Sequence, residues 1–307
     1  MRILVTGGAG YLGSMLVPRL LQYEEVETVI VMDRLMYGGD SIAPLLNHPK
    51  FLFQEVVLGD GWWEPDNSYD VTIHLAALVG EEVCKHNKEE AYRTNFTSTV
   101  ELINSAPKFI FASTCSNYGV CTKMADETTE LDPQSYYAET KVRAELAVLE
   151  ANQIVLRFGT LCGMSARMRY DLLLNELALA VANPIPSFEI RNPKAWRPYL
   201  HVVDACRAIE LMVFRKNGFT PPNVFNVAYS NVTKEYLMTL VRRMSTIHFD
   251  VREGMERDYK VTSQKIAKAF GFVARKSIED ALEEMRVGSS MTKYYDERRN
   301  TNGWWRA

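Results

Sequence analysis

No Cys-x-x-Cys pair occurs in the chain, and its five cysteines (Cys84, Cys115, Cys121, Cys162 and Cys206) are scattered. That pattern argues against a zinc ribbon or a disulfide framework and suits reduced thiols in a cytosol. No apolar run reaches membrane-spanning length, and Met1 runs almost directly into a strand-like segment, leaving no room for a signal peptide. A cytoplasmic protein with no membrane partner is the expectation. Neither sign of charge dominates. The 35 basic and 38 acidic residues give a net charge of −3, so the electrostatics offer no reason to expect nucleic acid. Internal repeats and low-complexity tracts are missing too. What is present is an ordinary globular composition, 47% hydrophobic and 24% charged over 307 residues, enough for one large domain or two lobes.

The most informative stretch is Ile3-Leu4-Val5-Thr6-Gly7-Gly8-Ala9-Gly10-Tyr11-Leu12-Gly13, followed by Val29-Ile30-Val31-Met32-Asp33. A strand-length apolar run meets a glycine cluster, a helical stretch follows, and a second apolar run ends on an acid. Gly7 and Gly8 permit a tight turn, Gly10 lets the backbone approach a pyrophosphate, and Gly13 lets the helix pack on the strand. The helix start offers unpaired N–H donors to the anion. Asp33 stands at the separation from which an acid reaches the adenosine ribose hydroxyls. Its carboxylate would repel the extra phosphate of NADP and so favours NAD, although Arg34 next to it leaves NADP open.

Strand-like segments recur at Phe51-Leu52-Phe53-Gln54-Glu55, Val71-Thr72-Ile73-His74-Leu75, Lys108-Phe109-Ile110-Phe111-Ala112, Ile154-Val155-Leu156-Arg157 and Val224-Phe225-Asn226-Val227. Helical periodicity covers Lys88 to Ser105, Ser135 to Ala151, Asp171 to Val181, Lys234 to Ser245 and Ser277 to Met285. Strands alternating with helices predict an α/β fold, a doubly wound parallel sheet with ligands at the strands' C-terminal ends. From about Leu161 the texture changes, which predicts a smaller α/β lobe partly interleaved with the sheet. The expected division is a dinucleotide domain over 1–160, with 197–229 returning to it, and a second lobe over 161–196 and 230–307. The polar tail from Ser289, with Trp304-Trp305, is expected to be either frayed or docked through those rings.

Tyr137-Ala138-Glu139-Thr140-Lys141 is the second signal. Residues four apart on a helix share a face, so the Lys141 ammonium can sit near the Tyr137 phenol and favour its ionised form, as a general base requires. The helix follows one strand after Ser113-Thr114-Cys115-Ser116, whose hydroxyls would stand beside the tyrosine. His74 and His201 lie in apolar stretches and read as hydrogen-bonded packing residues. Nothing marks Cys115 as a reactive thiol, and no metal site is expected.

Thr6-Gly7-Gly8-Ala9-Gly10-Tyr11-Leu12-Gly13, His74-Leu75-Ala76-Ala77, Ser113-Thr114-Cys115-Ser116-Asn117-Tyr118-Gly119, Tyr137-x-x-x-Lys141 and Arg197-Pro198-Tyr199-Leu200-His201-Val202-x-Asp204 occur in one order. Together they resemble the extended short-chain dehydrogenase/reductases, the NAD-dependent epimerase/dehydratase group acting on nucleotide sugars, over roughly residues 2 to 285. The resemblance implies a Rossmann domain, a substrate lobe, tightly held NAD and a homodimer. It implies catalytic roles for Thr114, Tyr137 and Lys141. It implies cofactor contacts from Gly7, Gly10, Tyr11, Leu12, Gly13, Asp33, Arg34, Asp60, Leu75, Ala76, Ala77 and Asn95, as well as from Tyr137 and Lys141. Ser116, Asn117, Asn175, Arg197 and Arg257 fall where the substrate would be held, with arginine's planar fork suited to a diphosphate. Asn117 replaces the usual apolar residue there and is expected to place an amide near the sugar.

The family's 4,6-dehydratases follow the threonine with an Asp-Glu pair, and this chain has Cys115-Ser116, which disfavours dehydration. Ser165 to Asn175 and Arg257 to Val261 are similar to GDP-heptose 4-dehydrogenases and related epimerases. The expectation is oxidation at C4 of a GDP-, UDP- or dTDP-linked sugar in polysaccharide biosynthesis, completed as 4-epimerisation. The alternative is a 4-dehydrogenase or 4-ketoreductase, and more distantly a non-catalytic NAD-binding regulator.

Overall fold

Seven parallel strands carry the fold, in the order Val224–Val227, Ile154–Phe158, Lys108–Thr114, Val71–His74, Arg2–Thr6, Thr28–Asp33 and Phe51–Glu55. The computed structural model describes residues 1–61, 68–216, 221–254 and 257–291; the expectation for the tail with Trp304-Trp305 falls outside the described residues. Successive side chains of a strand point to opposite faces, and the core divides accordingly. Ile3, Val5, Val29, Val31, Ile73, Ile110 and Leu156 belong to one cluster. Leu4, Ile30, Met32, Phe109, Phe111 and Val155 belong to the other. Burial on both faces is why these segments read as continuous apolar runs rather than alternating ones.

Helices cover the two faces. Gly13–Leu20 packs with Val202–Phe214, while Tyr136–Glu150 packs with the helical stretch from Glu81 to Leu102. Beyond its first helix, Glu81–His86, the part from Lys88 to Ser105 was expected as a single helix. It consists of Lys88–Tyr92, a π-helical turn at Arg93–Thr97, and Ser98–Leu102.

From Arg2–Thr6 the chain moves one way to Thr28–Asp33 and Phe51–Glu55, then crosses back to Val71–His74 on the other side. At that reversal the connections diverge, and a crevice opens beyond Thr6 and His74, which are paired neighbours.

The remaining strands form small sheets. Trp196–His201 lies between Ser230–Thr233 and Thr160–Cys162. Ser187–Arg191 pairs with His248–Arg252, and Val120–Ala125 with Asp258–Val261. The stretch between Asn183 and Asp204 contains two strands, Ser187–Arg191 and Trp196–His201. Helices Leu173–Ala182, Lys234–Arg242 and Ile278–Met291 pack around this part. Among the described residues no helix is long and apolar enough to cross a membrane.

Candidate active site

The glycine turn sits at the crevice. Gly7 adopts φ +71°, and a Cβ there would lie 2.7 Å from the Ala76 backbone nitrogen, so a side chain would force the two strand ends apart. A Cβ on Gly13 would lie 2.4 Å from the Gly7 carbonyl oxygen. All three line the open cleft, but Gly10 differs in its surroundings: a Cβ there would meet only the Gly7 carbonyl oxygen, at 3.2 Å. Gly10 is thus the place where a ligand can approach the backbone. Tyr11, Leu12, Leu75, Ala76 and Ala77 line the same cleft.

Asp33 closes the far end. Its Oδ2 accepts from Ala9 N at 3.0 Å and its Oδ1 from Leu35 N at 2.9 Å. Burial raises its pKa, and those two backbone donors pull against the shift. Each oxygen keeps a second lone pair for a ribose hydroxyl. The loop and this acid together fit a dinucleotide. Arg34 lines the cleft, but its guanidinium is engaged by Glu90 and by the Met36 sulfur. That pairing weakens the sequence-based case for NADP.

Tyr137 belongs to the first turn of Tyr136–Glu150, whose start is fixed by Ser135: its side chain accepts from Ala138 N at 3.2 Å. Tyr137, Lys141, Thr114 and Ser116 all line the cleft that the glycine turn opens into. Ser116 Oγ lies 2.9 Å from Thr114 Oγ1, and Ser116 N donates to Thr114 Oγ1 at 3.1 Å. Lys141 is only 2% exposed, with its ammonium 3.9 Å from the centre of the Phe111 ring. Burial pushes its pKa down to about 7, partly opposed by Glu145.

A ready-made phenolate is not what this geometry yields. Burial raises the Tyr137 pKa above its ordinary value, the nearby Cys84 adds to the shift, and Arg169 and Arg257 oppose it. Desolvation thus outweighs the neighbouring cations, and the phenol is protonated at neutral pH until something further draws its proton away.

Several other expectations are corrected by where side chains point. Asp60 forms an ion pair with Arg93 at 2.7 Å and does not line the cleft. Asn95 is fully buried in the π-helical turn. Its amide bonds Leu78 N at 2.7 Å, Leu78 O at 3.0 Å and Thr140 Oγ1 at 3.0 Å, so it braces the cleft wall against the Tyr137 helix. Asn117 turns inward, donating to Ser113 Oγ at 3.2 Å and Glu145 Oε2 at 3.1 Å, and offers no amide to the cleft. Asn175 is also buried, donating to Tyr11 Oη at 3.2 Å and Arg169 O at 2.9 Å. Asn95 and Asn175 thus spend their buried amides on fixed internal partners, and Asn117 does so through its amide nitrogen.

Arg197 and Arg257 do face a cavity. They line a neighbouring pocket of ≈ 1020 Å³ that shares Glu81, Thr160, Leu172 and Arg257 with the cleft, so the two spaces adjoin. Arg197 is anchored by the carbonyls of Trp196 and Arg257, and Arg257 pairs with Glu81.

His74 is a packing histidine: Nδ1 bonds Thr6 Oγ1 at 2.7 Å, Nε2 bonds Thr99 Oγ1 at 3.1 Å, and burial drives its pKa to about 3. His201 bonds Glu284 at 2.6 Å and caps Val202–Phe214. Cys115 is buried, its thiol donates to Arg157 O at 3.2 Å, and burial raises its pKa. No group of side chains suited to a metal ion occurs among the described residues. Sequence reasoning singled out neither Arg167 nor Arg169 as cleft residues; both line it. Two arginines in one short segment were the available signal.

The protein-family model described as the NAD dependent epimerase/dehydratase family matches residues 3–228. A low-salt glycan biosynthesis protein of Haloferax volcanii is 28% identical, over 92% of this chain and 96% of its own length. A dTDP-glucose 4,6-dehydratase of Streptomyces niveus is 26% identical, over 99% of this chain and 95% of its own. Among solved structures, the UDP-glucuronic acid 4-epimerase of Bacillus cereus, in complex with UDP-glucuronic acid and NAD, superposes with a TM-score of 0.83. Its identity is 22%, and the match covers 94% of this chain and 99% of the epimerase. At that identity the likeness is one of fold.

Proposed function

The chain belongs to the NAD-dependent epimerase/dehydratase family, and on that premise we propose that it oxidises C4 of a nucleotide-linked sugar and returns the hydride to give the 4-epimer. One observation carries the reading. Thr114, Ser116, Tyr137 and Lys141 line the cleft formed by the glycine turn and Asp33, beside a pocket bearing Arg197 and Arg257. Redox groups and diphosphate-binding groups are thus adjacent.

Bound NAD⁺ would supply the hydride acceptor, and its positive charge would add to the pull on the phenol proton. Gly7, Gly10 and Gly13 would let it lie close to the backbone, and Asp33 would hold its adenosine ribose. Once the phenol has released its own proton under that pull, to solvent or to the neutral Lys141 amine, the Tyr137 oxygen takes the proton of the C4 hydroxyl as the carbonyl forms, and Thr114 Oγ1 donates to the same oxygen. Ser116 N already donates to that threonine oxygen, and when the Ser116 hydroxyl donates to it as well, the threonine proton points at substrate. Lys141 lies one turn along the helix and lines the same cleft. Its amine, part neutral near pH 7, can take the phenol's proton only once the bound cofactor has lowered the phenol's pKa.

Dehydration is disfavoured by the residues after Thr114. Cys115 is turned into the protein, and Ser116 supplies a hydroxyl where an acid would be needed to expel a C6 oxygen. The glycan biosynthesis relative supports a role in making sugar polymers.

The test is to incubate the NAD-loaded protein with UDP-, GDP- and dTDP-hexoses and follow 340 nm absorbance together with C4 configuration by NMR. Inversion at C4 supports the reading. A stable 4-keto product supports a 4-dehydrogenase, and a 4-keto-6-deoxy product overturns the exclusion of dehydration.

A further inference from the structure

The segment from Gly163 to Arg169 is laced onto the glycine turn. Tyr11 Oη donates to Gly163 O at 2.6 Å, and Ser165 Oγ donates to Tyr11 O at 2.7 Å. Ser165 Oγ also lies 2.9 Å from Ser14 Oγ, which accepts from Arg167 N at 3.3 Å. Asn175 locks the arrangement by bonding both Tyr11 Oη and Arg169 O. The strap comes from beyond the main sheet, yet it is fastened to the turn that would hold a pyrophosphate.

From this strap the Arg167 side chain enters the cleft. It is 5% exposed, and its guanidinium carbon lies 3.8 Å from the centre of the Tyr37 ring. Arg167 and Tyr37 line the cleft with Gly10, Leu12 and Asp33. We propose that Arg167 is a clamp on the dinucleotide's pyrophosphate, held at the cleft by the strap fastened to the glycine turn.

The inference rests on the cleft being the NAD site. A glycine turn offers an anion only N–H dipoles, and a pyrophosphate carries two negative charges. A guanidinium anchored to that same turn brings a full positive charge and a planar fork that matches phosphate oxygens. Stacking on Tyr37 restricts the fork's orientation before any ligand arrives. Charge pairing points the same way: among the cleft arginines, Arg34 is paired with Glu90, Arg169 with Asp171 and Arg257 with Glu81, while Arg167 stacks on Tyr37. Burial and the neighbouring Arg169 push the Arg167 pKa down to about 10, a strain that a bound anion would relieve. Because the strap joins the cofactor turn to Arg169 beside Tyr137, the clamp also supports retention of the cofactor between half-reactions, as epimerisation requires.

The test is calorimetric titration of the full chain, freed of nucleotide, with NAD, ADP, adenosine and NADP. Arg167→Met should weaken NAD and ADP by about 10- to 100-fold, the range for losing a charged hydrogen-bond partner, and leave adenosine unchanged. Arg167→Lys should recover part of the loss, and Arg167→Gln serves if the Met variant does not fold. Unchanged NAD and ADP affinity overturns the clamp. So does an equal loss for adenosine, which would make Arg167 a mere prop for Tyr37, or a loss confined to NADP, which would make it a reader of the 2′-phosphate. If the wild-type chain fails to bind NAD, the cofactor reading itself falls; if only the variant pattern fails, that reading stands.

Discussion

Arg157 Nε donates to Glu145 Oε1 at 2.9 Å inside the protein, with the two side chains 5% and 1% exposed. Glu145 Oε2 also accepts from Ser113 Oγ at 2.5 Å and from Asn117 Nδ2, and Arg157 donates to Tyr118 Oη at 2.6 Å. The pair therefore anchors the segment that presents Thr114 and Ser116. Removing one member leaves a buried charge without its partner. Glu145→Ala should cost about 3–5 kcal/mol of stability, measured by denaturant unfolding of the ligand-free protein.

Tyr137→Phe deletes one oxygen and leaves the ring. Turnover of any accepted nucleotide sugar should fall by about 10²- to 10⁴-fold, the range for a positioned general base. NAD affinity should change little, because the glycine turn and Asp33 are untouched. Steady-state rates and a binding titration on the same preparation separate the two effects.

Lys141 gives stability a pH signature. Its pKa in the folded chain is pushed from an ordinary 10.5 down to about 7. Between those values the unfolded chain binds more protons than the folded one, so this residue makes stability rise with pH across that window. Below pH 7 both states are protonated and the cost of burying the ammonium is felt in full. Lys141→Met should be more stable than wild type near pH 6 and should lose the extra slope between pH 7 and 10 in the ligand-free protein. Identical slopes in the two proteins would refute the assignment.

Asp33 should choose between cofactors. Asp33→Asn removes the charge that opposes a 2′-phosphate and weakens the grip on the ribose hydroxyls. The ratio of NAD to NADP affinity should fall by about 10-fold, the scale of one charge-assisted hydrogen bond. Titration of both dinucleotides into both proteins reads it directly.

Much of this was legible in the sequence where the signal is a backbone requirement. Val29 to Met32 within strand Thr28–Asp33, and Phe109 to Phe111 within strand Lys108–Thr114, lie in the apolar runs that announced those strands, because a stretch covered on both faces is apolar throughout. The glycine spacing located the turn because Gly7 and Gly13 have no room for a Cβ. Ser187–Arg191 alternates exposed and buried residues, which is itself a strand signal, but it is only five residues long and pairs with His248–Arg252, a partner no local pattern announces. Side-chain direction was the harder part. Asn117, Asn175 and Asn95 occupy motif positions yet spend their amides on internal partners, whereas Arg167 and Arg169, in a loop without periodicity, line the cleft. The Tyr137–Lys141 spacing gave the right face and the wrong charge state, since spacing carries no information about desolvation.

The most direct measurement uses a nucleotide sugar deuterated at C4, incubated with the NAD-loaded protein in ordinary water and examined by NMR and mass spectrometry. C4 oxidation followed by return of the same hydride predicts inversion at C4 with the deuterium still on that carbon. Loss of the deuterium to solvent, or every tested sugar recovered unchanged with no reduced cofactor formed, would contradict the account.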